Sequence, residues 1–162
     1  MKSGKHLFSI ICFLSLLSVS HANADEQMTS VVARATYEKI YVPAYSKVFT
    51  HEGILQPLAS TVVIHNTDSK VSITVMRVDY FDRAGAHQKN LVTAPVMLEP
   101  FESASYLAPL NDQTGNSGAN FLVEWTSESA VSVPAVEAVM IGGSGTRGIS
   151  FVSAGRVIER LP

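Results

Sequence analysis

Val71-Ser72-Ile73-Thr74-Val75-Met76-Arg77-Val78-Asp79-Tyr80-Phe81 decides how the rest of the chain is read. Val71, Ile73 and Val75 alternate with Ser72 and Thr74, the pattern of a half-buried strand. At Met76 the phase changes, and Met76, Val78 and Tyr80 take over the apolar role. Successive side chains on a strand point to opposite faces, so a change of phase means an inserted residue or a strand that passes between sheets. Arg77 and Asp79 then stand together on the face opposite Tyr80.

Working outward, similar short runs rich in β-branched and aromatic residues fall at 38–42, 58–65, 87–92, 103–108, 119–126, 135–141 and 149–153, with a last one at 156–159. The separators have mechanisms. Asn66-Thr67-Asp68-Ser69 offers side-chain oxygens to turn amides, and Asp82-Arg83-Ala84-Gly85 supplies a glycine for positive φ in a hairpin. Pro95, Pro100, Pro109 and Pro134 lie between runs, where no ladder donor is lost. No long helical period occurs. Tyr37, Tyr41, Tyr45 and Phe49 recur every four residues, but Pro43 argues against a helix through them. The expectation is an all-β, antiparallel, immunoglobulin-like sandwich of about eight strands. An outer-membrane barrel fits less well, because its strands need about ten residues and aromatic girdles at both rims.

The amino terminus follows a different logic. Lys2, Lys5 and His6 precede an apolar run over 7–19, and Ala22-Asn23-Ala24 follows it. Basic start, apolar stretch and small-x-small site in that order describe a secretory signal peptide. The run is shorter than the roughly 20 residues a membrane-spanning helix requires. Cleavage is expected after Ala24, giving a periplasmic or secreted chain with no membrane span. Residues 25–36 read as a flexible lead-in, with a short helix near 31–35, and residues 37–162 as one sandwich domain. Cys12 is the sole cysteine of the 162 residues, so the remaining chain has no thiol for a disulfide, a nucleophile or a metal. That remainder carries 10 basic and 14 acidic residues, a balance that argues against nucleic acid or an anionic membrane as partner.

Chemistry has few candidates. Gly143-Ser144-Gly145-Thr146-Arg147-Gly148 has the glycine spacing of a dinucleotide loop, but strand residues follow it where a helix is required. It reads as a glycine-rich hairpin, with Arg147 a weak candidate for ligand binding through an anion nest. His51, His65 and His87 lack ligand spacing, and 111–118 lacks the acids of a calcium loop, so no metal and no cofactor are expected. The sharpest set is Arg77, Asp79, Glu124 and Glu137. Glu124 and Glu137 are lone acids within apolar strands, and acids converging with Arg77 on one face could divide acid and base roles. An ion-pair network on a solvated face is the plainer reading of the same residues.

Tyr41-Val42-Pro43-Ala44-Tyr45-Ser46, His65-Asn66-Thr67-Asp68, Ile73-Thr74-Val75 through Asp79-Tyr80-Phe81-Asp82, and Gly118-Ala119-Asn120-Phe121-Leu122-Val123-Glu124-Trp125 form blocks specific enough to compare. With Glu137-Ala138-Val139-Met140-Ile141-Gly142 and Gly148-Ile149-Ser150-Phe151-Val152-Ser153 they cover most of residues 37–158. In these blocks the chain resembles the domain of unknown function 3124 family of bacterial exported proteins. The resemblance implies an exported bacterial domain and carries no activity with it.

Two functions follow as expectations. The first is a non-catalytic exported module that binds a protein or small ligand of the cell envelope. The second is a small periplasmic hydrolase or lyase built on Glu124, Glu137 and Arg77. Export itself has a direct check: the protein recovered from the expressing cell begins at Asp25 by amino-terminal sequencing, and Ala24→Leu blocks that processing. An unprocessed wild-type chain contradicts the reading of residues 1–24.

Overall fold

A computed structural model describes residues 32–108, 116–144 and 147–162. Contacts divide the chain into Met1–Ser30 and Val31–Pro162, and the second unit carries the fold. Its strands in chain order are β1 (Arg34–Pro43), β2 (Lys47–His51), β3 (Ile54–Pro57), β4 (Ala59–His65), β5 (Ile73–Phe81) and β6 (His87–Asn90). Then come β7 (Val96–Leu98), β8 (Ser103–Ala108), β9 (Asn120–Ser132), β10 (Ala135–Ser144), β11 (Arg147–Ala154) and β12 (Arg156–Leu161). One sheet runs β12-β1-β9-β5-β6, with β7 paired to the other end of β5. The second runs β11-β10-β4-β8, and β2 pairs only with β3. Neighbours are antiparallel throughout. The expected antiparallel sandwich is present. The pairing establishes this strand order, and it does not establish the immunoglobulin arrangement.

Inward positions of both sheets meet in one core. Trp125, Phe121, Tyr80 and Ile73 come from the first sheet, Ile64, Val62 and Met140 from the second, and all are fully buried. Each large side chain removed from water contributes about 1.5–3 kcal/mol before the entropy of ordering it is subtracted. Tyr80 keeps its hydroxyl satisfied by a buried 2.6 Å hydrogen bond with the Ser46 hydroxyl.

The phase change in 71–81 has the cause expected of it. The register of β5 against β9 shifts between Val75 and Arg77, so Met76 is the extra residue and is exposed. The bulge keeps Ile73, Val75, Val78 and Tyr80 all buried while Arg77 faces out.

Three strands, β2, β3 and β7, lie outside the expected runs, and β1, β9 and β10 extend well beyond theirs. Residues 47–57 form a hairpin whose turn is closed by Gly53 at φ 74°, and β7 is only three residues long. Such short pieces carry too little period to read. Of the lead-in expected over 25–36, with its helix near 31–35, residues 25–31 lie outside the described residues, and from Arg34 onward the chain is β1. Ala35 is fully buried opposite Val131, so the far end of β9 supplies a partner that composition at 25–36 did not reveal.

Two connections hold the sheets in place. Asn66 donates from its amide to the carbonyls of Val71, Leu98 and Glu99, and its own oxygen accepts from the Asp68 amide. Asp68 accepts from the amides of Lys70, Val71 and Ser132, and these bonds, the Ser132 bond first, hold its carboxyl below the usual carboxylate range. The second connection is Gly155, where the chain leaves β11 in one sheet for β12 in the other. Its amide donates to the Val136 carbonyl at 2.8 Å. A side chain there would place Cβ 2.7 Å from Ile40 Cγ2 and 2.8 Å from that same carbonyl oxygen. Gly155→Ala is therefore expected to lower stability by about 1–3 kcal/mol, the usual cost of overpacking. Denaturant unfolding checks this, and a variant as stable as the parent would show that the crossing has room.

Candidate functional site

The outer face of the first sheet gathers three of the four predicted acids and bases. Facing outward along one row are Glu159 on β12, Lys39 on β1, Glu124 on β9 and Arg77 on β5. The Lys39 amine lies 3.0 Å from Glu159 and 3.6 Å from Glu124. Chiefly the hydrogen bond to Glu159 raises its pKa above the ordinary lysine value. Arg77 stands directly opposite Glu124 and binds Asp79 through its Nε. His87 Nε2 reaches the other oxygen of Asp79 at 2.9 Å, and the His87 ring meets Phe81 edge-on. Asp79 is 1% exposed although it points outward, because these neighbours cover it. Charges thus alternate across four strands, and each acid is spent on a base beside it. Exposed pairs of this kind contribute about 0–1 kcal/mol each, so the row fixes register more than it stabilises.

Glu137 is elsewhere. It lies on β10 in the second sheet, directly opposite Val63 of β4 and Ala154 of β11. The structure therefore brings Arg77, Asp79 and Glu124 together and leaves Glu137 apart. The histidines are dispersed as well: His51 on β2, His65 on β4 and His87 on β6. Among the described residues no group of three His, Cys, Asp or Glu could hold a metal ion. Gly143 and Gly148 face each other in the β10–β11 hairpin, while the Arg147 side chain, residues 145–146 and the polar stretch 111–115 lie outside the described residues. An open cleft of about 330 Å³ lies along Lys70, Thr74, Met97 and Glu128, and it takes in none of the candidate residues.

The second sheet presents a face of another kind. Its outward rows follow from the register. Leu107, Thr61, Val139 and Val152 cross all four strands side by side. Ser105, Val63, Glu137 and Ala154 form the row on one side, and Ala59, Ile141 and Ser150 the row on the other. Leu107 is 53% exposed, Ile141 59% and Val152 55%, while Val63 and Val139 are half-buried between them. Glu137 is the one formally charged side chain in these three rows, and it makes no ion pair among the described residues. An outer sandwich face is ordinarily polar. Here Val63, Val139, Ile141 and Val152 cluster on neighbouring positions, with Leu107 beyond Thr61 on the edge strand.

A third cluster lies inside. Glu38 on β1 points into the core and is fully buried. Arg160 of the edge strand β12 donates to one of its oxygens through Nε at 2.7 Å, and Trp125 Nε1 donates to the other at 3.2 Å. Both carboxylate oxygens are satisfied, and the pair ties β12 to the centre of its sheet.

A family model described as a protein of unknown function, DUF3124, matches residues 17–158. The chain belongs to the DUF3124 family. No curated protein matches it. A solved structure titled "Crystal Structure of Thermotoga maritima 1070" is similar at 12% identity and a TM-score of 0.43, over 76% of this chain and 96% of that one.

Two features of this DUF3124 chain are not evident in its sequence. Glu38 shares a strand face with Ile40 and Val42, but the partners that let it be buried, Arg160 and Trp125, are 122 and 87 positions away in the sequence. The outward apolar row is legible there only as single residues, because assembling it requires the order β11-β10-β4-β8. For the buried pair the expected outcome is sharp. Arg160→Met leaves Glu38 charged and short of its partner, at a cost of about 3 kcal/mol. The double variant Arg160→Met with Glu38→Gln recovers much of that loss in thermal unfolding. Equal stability of Arg160→Met and the parent would show that Trp125 alone suffices.

Proposed function

We propose that this protein is an exported, non-catalytic binding module whose contact surface is the outer face of the β11-β10-β4-β8 sheet. The observation that carries the reading is the set of outward apolar side chains on this face, Leu107, Ile141 and Val152 exposed with Val139 half-buried among them. Contiguous apolar surface in water is costly and marks a place where another molecule sits. Export rests on the amino-terminal pattern of residues 1–24. The hydrolase or lyase alternative required Glu124, Glu137 and Arg77 to converge, and Glu137 occupies the other sheet. Glu124 and Asp79 are moreover engaged with Lys39, Arg77 and His87, which leaves no free acid–base pair in that row.

The test is the assembly state in gentle envelope extracts. The wild-type protein is expected to migrate above the mass of the processed chain, itself below the 17.4 kDa of all 162 residues. Ile141→Asp combined with Val152→Asp returns it to the mass of the free chain, with an unchanged melting temperature because both side chains are already exposed. Lys39→Ala on the opposite face leaves the assembly intact. Wild type and double variant both migrating as free chains would overturn the proposal.

A further inference from the structure

Glu137 gives the apolar face a sign. It sits two residues from Val139 on β10, at the edge of the row a partner would cover, and among the described residues it has no counter-charge. Glu124, the other lone acid of an apolar strand, is matched by Lys39 at 3.6 Å. Covering Glu137 with a neutral apolar surface would strip its water and return nothing, so an unpaired carboxylate works against such a partner. A second copy of the chain fails for the same reason. The three outward rows hold no lysine or arginine, so face-to-face pairing would bury two acids without a base. An anionic bilayer or a nucleic acid would bring more charge of the same sign.

We propose that the partner is a protein segment with apolar side chains flanking one lysine or arginine, and that its cation pairs with Glu137 while its apolar residues cover Leu107, Val139, Ile141 and Val152. This rests on the reading of that face as the contact surface. The apolar row supplies affinity and Glu137 supplies discrimination, because a segment carrying an acid or no charge at that place leaves the carboxylate unpaired.

Two capped nonapeptides test it, Leu-Thr-Leu-Thr-Lys-Thr-Leu-Thr-Leu and the same sequence with glutamate for lysine. Each extended peptide aligns its leucines and central charge on one side. Amide chemical shifts of the purified protein are followed as each is added. The lysine peptide is expected to bind at least about tenfold more tightly than the glutamate peptide, with shifts confined to β4, β8, β10 and β11. In Glu137→Gln, whose melting temperature stays that of the parent, the preference falls to within about twofold. Equal binding of both peptides to the wild-type face would overturn the cationic partner and leave the contact surface standing. Binding of neither peptide at that face would overturn the contact surface and the inference with it.

Discussion

Two sheets stay together here because Trp125, Phe121, Tyr80 and Ile73 pack against Ile64, Val62 and Met140 with no covalent aid. The sole cysteine is Cys12, so no disulfide within the chain is available to residues 25–162. Burial must therefore supply nearly all of the favourable free energy, and every inward position becomes expensive to change. That constraint explains the devices around the core. A bulge at Met76 rescues the inward phase of β5, Gly155 lets the chain cross where a methyl group would collide, and Asn66 with Asp68 satisfies carbonyls and amides around a loop that changes sheets. Glu38 is the exception that confirms the cost. The core admits its carboxylate only with Arg160 and Trp125 on its two oxygens.

With the inner faces committed to stability, function is left to the outer ones, and the two differ. The outer face of the larger sheet spends its charges on itself, from Glu159 through Lys39 and Glu124 to Arg77, Asp79 and His87. Such a surface is well solvated and offers little to a partner. The outer face of the smaller sheet has apolar side chains where water would favour polar ones, and in its three central rows the one acid, Glu137, has no ion-pair partner among the described residues. Water is a poor partner for the first property and a protein segment a good one for both. The alternation that built the core therefore also sorted the exterior into a face of paired charges and a face that carries exposed apolar side chains.

How much of this is legible in the sequence depends on how far apart the interacting residues lie. Strand 103–108 can be read with its true ends because its alternation is local, and the bulge in 71–81 because the phase change is written within one strand. The hairpin 47–57 and β7 escape because three to five residues hold too little period, and β1 starts earlier than composition suggests because Ala35 owes its burial to Val131, nearly a hundred positions away. Among the site residues, Arg77, Asp79 and Glu124 can be grouped from phase and composition. Glu137 joins that group in error because strand order is not a local property. The same gap hides the apolar row, since Leu107 and Val152 look like ordinary strand residues until β4 and β10 bring them into line.

Side-chain footprinting in living cells tests the contact surface most directly. A carbene or hydroxyl-radical label would be applied to the expressing cells and, separately, to the purified protein. Leu107, Ile141 and Val152 should label strongly in isolation and weakly in the cell, while Tyr41 and Met76 on the opposite sheet label alike in both. Equal labelling of all five residues in the two settings would mean that the apolar face meets only water, and the account of it as a contact surface would be wrong.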